Sequence, residues 1–445
     1  MCHGSTWLTH GYYLRRVEFL SSMSRSRIFE AFLNSPFVSI DSRNIQSNHI
    51  FFALTGKNFD GNMFASQALE QGAQLAVVDR EIGINHPRLV KVEDSLEALQ
   101  QLAADYRDFL NIPILAITGS NGKTTCKELI RDVLNKKYKV YATKGNLNNH
   151  IGIPLTLLSI PRECEFGVIE MGANHCNEIN DYCKYTRPNF GYITNIGLAH
   201  LEGFGGEEGV IRGKSELFNY VTATGGKIFA DIHQPKMDRA LQNRIYISTS
   251  IDDVGIQICS EEPCITYKIK ALNEEVITKF VGNYNLMNIA AAIRIGRYFE
   301  VPENSIHEAI SNYIPNSNRS ELRETATNRI IMDAYNANPT SMEHALRSFS
   351  RMKAANKIAI LGDMKELGVD SLQLHQGVVK LISELGLKAV FIGDVFNSCE
   401  IPHNCNGYNH VDELSKLLNT HPITHATILL KGSRGMKMET LAQFL

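Results

Sequence analysis

The chain has 445 residues, 44% hydrophobic and 21% charged, the composition of an ordinary globular protein able to bury several cores over about two to four domains. Its 45 lysines and arginines nearly balance its 47 aspartates and glutamates, and the net charge of −2 gives no electrostatic basis for binding nucleic acid or an anionic membrane surface. No apolar run reaches the ~18 residues needed to span a bilayer. The nine cysteines are scattered without a C-x-x-C pair; they read as free thiols of a reducing compartment, in preference to a metal site at His175, Cys176 and Cys183.

Residues 1–22 lack the long apolar core of a secretory signal and read as a disordered extension, with Met23 opening "MSRSRIFEAFLNS" as the biological start. Residues 23–105 alternate short strands and helices ("HIFFALTG", "MFASQALEQGA", "QLAVVD"), which is the pattern of a small α/β domain. "DSLEALQQLAADYRDFL" sets Leu96, Leu99, Leu102 and Ala103 on one face of an amphipathic helix that leads into the next domain.

A second domain, 106–315, opens with strand "IPILAIT", a glycine loop, and a helix placing Cys126, Leu129, Ile130, Val133 and Leu134 on one side. Apolar strands "FGVIEMG" (166–172) and "FGYITNIG" (190–197) follow, then the alanine-rich helix "YNLMNIAAAIRIGRYF" (284–299). The alternation predicts a mostly parallel sheet covered on both faces. "YIPNSN" reads as a linker, after which "RIIMDAY", "KIAILGD", "AVFIGD" and "ATILLKG" predict a third α/β domain over 316–445. No fixed-period repeat or low-complexity tract interrupts the series.

Chemistry concentrates at strand ends. Gly119-Ser120-Asn121-Gly122-Lys123-Thr124 is shorter than G-x-x-x-x-G-K-[ST], with Ile117 where the first glycine would fall. The physics is unchanged, because backbone N–H groups and a helix N-terminus face an anion. Lys123 adds a mobile positive charge, and the hydroxyl of Thr124 or Thr125 can bind Mg²⁺. Glu170, near the carboxyl end of its strand, is a hard-oxygen ligand for Mg²⁺ if a nucleotide binds beside it. His200 and Lys214 follow the strand "FGYITNIG". "YNANPTSM" (335–342) is an asparagine-rich turn after "IIMD". Lys431 and Arg434 lie just past the last strand, where cations suit carboxylate or phosphate.

Together these stretches resemble the Mur ligase family, the ATP-dependent amide-forming enzymes of peptidoglycan synthesis, over essentially all of residues 39–445. The short "TGSNGKT" loop, "YNANP", "ILGDMKELG" followed by His375, and "DSRNIQSNHIFFALTGKNFDGNMFASQALEQGA" carry the likeness in the right order. The resemblance implies three domains: an amino-terminal domain binding the UDP-linked substrate, a central P-loop ATPase domain, and a carboxyl-terminal Rossmann-like domain. Gly119, Ser120, Asn121, Gly122, Lys123, Thr124 and Thr125 would cradle the ATP phosphates, with Lys123 near the γ-phosphate. Two Mg²⁺ ions would be held by Thr124, Glu170, His200 and Lys214, the lysine acting as a CO₂-derived carbamate. Asn285 and Asn288 would lie near adenine, Asp333 on the ribose, and Arg319 near the phosphates.

Ser42 and Arg43 would lie at the uridine end, and "GNLNNHIGIP", with Asn146 and Asn149, along the peptide channel. Tyr335, Asn336, Lys431 and Arg434 would meet substrate. The implied substrates are UDP-N-acetylmuramoyl-tripeptide and D-alanyl-D-alanine, joined through an acyl phosphate by a cytoplasmic monomer without nucleic-acid or membrane partners. Three positions depart from the family pattern: Tyr284 and Asn62 stand where histidines are usual, and Met332 replaces the first of two aspartates. Two other readings stay open. One is a sister amide ligase, such as folylpolyglutamate synthase or the enzyme adding the third peptide residue, although no D-N-P-R of the diaminopimelate-adding relative occurs in the carboxyl-terminal part. The other is a nucleotide-dependent switch that makes no bond.

Overall fold

The structure, a computed structural model, describes residues 26–269, 274–316 and 318–445; the expected extension over 1–22 and the expected start at Met23 lie outside them. The chain divides into two compact units. One runs to Ile114 and adds Tyr141–Met171 and Asp181–Pro188; the other comprises Leu115–Val140, Gly172–Asn180 and Asn189–Leu445.

In the first unit, Val38–Ser39, Ile50–Phe52, Leu75–Val78 and Leu89–Lys91 form a parallel sheet in that order. Phe51, Ala53, Ala76 and Val78 pack with Ala65, Ala68 and Leu69 of the helix Ala65–Glu70, a core of small side chains that lets helix and sheet close together. Asn62 ties the hairpin Thr55–Gly56/Phe59–Asp60 to this sheet. Its Nδ2 donates to Asp79 at 2.8 Å and Asp60 at 3.0 Å, and its Oδ1 accepts from the Asp79 N–H at 3.1 Å. Asparagine thus satisfies this buried position.

Helix Ser95–Leu110 starts on Asp94, whose side chain accepts from Leu96 and Glu97 N–H, and ends on Asn111 in the left-handed region. Leu99, Leu102 and Ala103 are buried as their spacing predicts, and the same face runs on through Tyr106, Phe109 and Leu110. Tyr106 donates to the Ile160 carbonyl at 2.7 Å and buried Arg107 to that of Thr186 at 3.1 Å, so the helix also orders the later segments of its unit.

In the second unit the parallel strands Ile247–Ser248, Lys227–Ala230, Phe190–Ile193 and Ile114–Thr118 lie in that order. Helix Lys123–Leu134 buries the expected Cys126, Leu129, Ile130, Val133 and Leu134 and packs on helix Leu286–Tyr298. A three-stranded antiparallel sheet, Ile256–Ser260, Thr266–Ile269 and Glu275–Ile277, follows. The carboxyl-terminal sheet has six strands in the order Glu321–Glu324, Arg329–Asp333, Thr427–Lys431, Lys357–Gly362, Lys388–Ile392 and Asn406–Tyr408, all parallel but the first.

Parallel registry brings strand ends together: Asp333 pairs with Lys431, and Lys431 with Leu361. Met332, one residue earlier, points into the sheet's apolar core with Ile330, Ile360 and Leu430. An aspartate there would need desolvation without a partner, so Met332 suits this core. Among the described residues no helix is long and apolar enough to cross a membrane, and the described cysteines are free thiols.

Candidate nucleotide and ligation site

The glycine loop expected to bind phosphate lies between the strand Ile114–Thr118 and the helix that Lys123 begins. Two glycines are required by geometry. Gly119 has φ +144° and a Cβ there would sit 1.9 Å from Thr194 Oγ1; Gly122 has φ +77° and would meet Asn288 Oδ1 at 2.9 Å. The loop is held by the next strand end. Ser120 Oγ both donates to and accepts from Gly197 at 2.9 Å. The Asn195 carboxamide accepts from Asn121 N–H at 3.0 Å and donates to its carbonyl at 3.1 Å, while Thr194 Oγ1 donates to the same carbonyl at 2.6 Å. Lys123 Nζ donates to the Gly119 carbonyl at 2.6 Å.

Asn285 and Asn288 are buried beside this loop, Asn288 donating to Asn285 at 3.1 Å and Asn285 to the Val281 carbonyl at 2.9 Å. Tyr284 fills its own place with a 2.7 Å hydroxyl bond to Ser320.

Lys214 projects from helix Glu207–Ala223 and is 1% exposed. Its Nζ lies 5.1 Å from the Phe204 ring centre and 3.4 Å from the Ala173 carbonyl. Burial, with repulsion from Lys123, drives its pKa well below that of an ordinary lysine, against the pull of Glu178 and Glu216. Both carboxylates are engaged with backbone: Glu178 accepts from the N–H groups of Asn174 and His175, and Glu216 from those of Asn177 and Asn180. His200, with φ +53°, turns Nδ1 to the Glu366 carboxylate, and that bond lowers the pKa of Glu366. Nε2 is then the ring nitrogen left for any metal.

At the edge of the carboxyl-terminal sheet, Lys431 is 2% exposed and holds Asp333 at 2.6 Å and the Asn336 carbonyl at 3.3 Å. The guanidinium of Arg319 stacks 3.6 Å from the Tyr335 ring centre, with that of Arg434 at 5.4 Å. After this turn, helix Pro339–Arg351 starts on a capping box of Asn338 and Ser341. That helix start reaches the glycine loop. Asn338 Nδ2 donates to Asn121 Oδ1 at 2.7 Å, and Thr340 Oγ1 accepts from Leu198 N–H at 3.0 Å.

Ser42, Arg43, Asn146, Asn149 and Glu170 belong to the first unit. Ser42 is buried in a short turn, while Arg43 is exposed and paired with Asp41 at 2.8 Å. Asn149 accepts from the Gly152 N–H at 2.8 Å, starting the helix Gly152–Leu158. Asn148, between the two asparagines that the sequence singles out, reaches Glu170 Oε1 at 2.8 Å. Three asparagines in "NLNN" look alike in sequence, and only the turn distinguishes their tasks. Thr194, Asn195, Asn338 and Thr340 were also missed, since their partners are distant in sequence.

The donors present suit Mg²⁺. In the first unit Glu170 is a buried carboxylate oriented by Asn148; in the second, taken by itself, the Thr124 hydroxyl lies at a helix start. Among the described residues no three His, Cys, Asp or Glu side chains form an all-protein metal cage.

Family models match along the chain: "Mur ligase family, catalytic domain" over residues 35–107, "Mur ligase middle domain" over 117–296, and "Mur ligase, glutamate ligase domain" over 318–434. The UDP-N-acetylmuramoyl-tripeptide–D-alanyl-D-alanine ligase of Bacillus subtilis (strain 168) is 34% identical across 92% of both chains. The enzyme of that name from Escherichia coli (strain K12) is 31% identical across 92% of this chain and 93% of its own. A crystal structure of MurF from Acinetobacter baumannii superposes with a TM-score of 0.81 at 30% identity, covering 91% of this chain and 92% of that one. MurF ligase of Thermotoga maritima, crystallised with ADP, shares the fold at a TM-score of 0.81, 24% identity, and 92% and 96% coverage.

Proposed function

This chain belongs to the Mur ligase family, and on that premise we propose that it joins D-alanyl-D-alanine to UDP-N-acetylmuramoyl-tripeptide with ATP, releasing ADP and phosphate, in cytoplasmic peptidoglycan precursor synthesis. The observation that carries this reading is likeness over about nine-tenths of the chain to ligases of that one specificity, and a glycine loop at a helix start that would hold phosphate is consistent with it. The amino-terminal domain would bind the UDP-linked substrate, the central domain ATP and the carboxyl-terminal domain the amine.

The chemistry is two displacements. A carboxylate oxygen of the tripeptide attacks the γ-phosphorus, the bond to ADP breaks, and an acyl phosphate forms. The amine of D-alanyl-D-alanine then attacks the acyl carbon, loses a proton, and expels inorganic phosphate as the peptide bond closes. Both reactants of the first step are anions, so the protein's contribution is position and positive charge. Lys123 would leave the Gly119 carbonyl for the γ-phosphate. Arg319, stacked and preset on Tyr335, would stand by the phosphates, and Lys431 would hold Asp333 in place for the ribose. Exclusion of water by the seated domains would protect the acyl phosphate.

Mg²⁺ bound by Thr124, Glu170 and His200 would supply further positive charge. The buried Lys214 amine, its pKa lowered by burial, would add to CO₂ through its lone pair, forming an N–C bond as a proton passes to water, and the resulting carbamate would be an anionic ligand. Near-normal turnover by Lys214→Ala would overturn that assignment.

Phosphate release, measured while omitting ATP, Mg²⁺, UDP-N-acetylmuramoyl-tripeptide or D-alanyl-D-alanine in turn, tests the reaction. All should be needed, and the UDP-linked pentapeptide should be found by mass. Release with folates or single amino acids would identify a sister ligase, and release from ATP alone a switch.

A further inference from the structure

We propose that Asn338 is a positioning residue for ATP: it fixes the carboxamide of Asn121 so that this side chain offers the nucleotide phosphates an N–H donor rather than a carbonyl oxygen. The inference rests on the reading of Gly119–Thr125 as the phosphate loop.

The orientation follows from a chain of obligatory donors. The Ser341 backbone N–H can only donate, so the Asn338 atom 2.9 Å from it is Oδ1. Nδ2 of Asn338 is therefore the atom that faces Asn121, and at 2.7 Å it requires an acceptor, Asn121 Oδ1. Rotating either amide would oppose two donors or two acceptors. Asn121 Nδ2 is left buried with no acceptor among the described residues. The Asn121 backbone cannot turn to relieve it, because Asn195 holds both its N–H and its carbonyl and Thr194 holds the carbonyl again. A buried amide donor without a partner is costly, and in a loop built for phosphate the acceptor that relieves it is a phosphate oxygen.

Asn338 is therefore more than a helix cap. One carboxamide starts helix Pro339–Arg351 with its oxygen and sets the polarity of the phosphate loop with its nitrogen. Thr340 seats the same helix start on Leu198, so a helix of the carboxyl-terminal sheet and the grip on ATP become one event.

Two substitutions separate these roles, since serine and aspartate both keep an oxygen for the Ser341 N–H and remain good caps. Asn338→Ser is too short to reach Asn121 and leaves its amide free to turn. Asn338→Asp presents an acceptor, draws Asn121 Nδ2 toward itself, and turns the Asn121 oxygen on the phosphates. Calorimetric binding of Mg·ATP alone, without the other substrates, should weaken about tenfold in Asn338→Ser and about a hundredfold in Asn338→Asp, with melting temperatures held near that of the parent. In an Asn121→Ala background the excess loss from aspartate should vanish and serine should add no further loss.

Asn338→Asp binding ATP as tightly as Asn338→Ser would overturn the proposal. An aspartate penalty undiminished in Asn121→Ala would also overturn it, since through-space repulsion would then suffice. If aspartate prevents folding, the serine cycle decides alone, and losses that multiply there count against the proposal. A parent chain that binds no ATP would refute the underlying reading of the loop instead.

Discussion

Single residues here carry obligations that their immediate neighbours in sequence do not reveal. Asn62 is 1% exposed and engages Asp60 and Asp79 together. Asn62→Ala strands those partners, and the expected loss is about 2–3 kcal/mol of stability, read as a lower denaturation midpoint. A midpoint shift under ~0.5 kcal/mol would show that the network is dispensable. At Lys123 the expected effect is on rate. Lys123→Ala keeps the helix, because alanine is a strong helix former, and should lower kcat for ligation by at least about a thousandfold with little change in melting temperature. The turn and helix start of "GSNGKT" were legible because two glycines at that spacing after an apolar strand encode them. The pairing of Lys431 with Asp333 and of Arg319 with Tyr335 was not. Each pair spans strand ends or a linker, and periodicity carries no information about what lies across them.

Elements meet at one crowded point, where the turn after strand Phe190–Ile193 lies between Ser120 and the start of helix Pro339–Arg351. A Cβ on Gly197 would lie 2.9 Å from Thr340 Oγ1 and 3.1 Å from its Cγ2. Gly197→Ala should therefore unseat that helix start and reduce ligation about tenfold or more, and adding Thr340→Ala should recover part of the loss. A double variant no better than Gly197→Ala alone would show that this contact is not the cause. Helices such as Lys123–Leu134 and Ser95–Leu110 were legible because one buried face repeats at helical spacing. The antiparallel edge strand Glu321–Glu324 was not, being short, polar and only partly buried. The sequence also placed "YIPNSN" as a linker, yet Tyr313 in it is buried against Phe280, 5.2 Å between ring centres. An aromatic ring that completes a neighbouring core does not alter the turn signals around it.

For the whole molecule, buried histidines couple stability to pH. His375 is fully buried and neutral: Nδ1 donates to the Ser371 carbonyl at 2.7 Å and Nε2 accepts from Met364 N–H at 2.9 Å. Burial lowers its pKa against the pull of Asp363, and that of His307 against Glu303. Unfolded histidine takes its proton near pH 6.5, roughly, while these take it only at lower pH, so the unfolded state binds more protons in that window. Their stabilising contribution is full above about pH 6.5 and declines as pH falls toward the folded values. The melting temperature should drop between pH 7.5 and 5.5, and by less in His375→Gln; an unchanged or rising value would contradict this. The mostly parallel α/β architecture was legible from alternating apolar strands and helices, but the docking of the 338–341 turn on the glycine loop depends on tertiary placement alone.

In the proposed reaction ATP energy passes through the substrate carboxylate. UDP-N-acetylmuramoyl-tripeptide labelled with ¹⁸O in its reacting carboxyl group, turned over with unlabelled ATP and D-alanyl-D-alanine, tests it directly by mass spectrometry of the released phosphate. An acyl phosphate requires one labelled oxygen in each phosphate formed with peptide product. Phosphate free of label, with pentapeptide still accumulating, would contradict it.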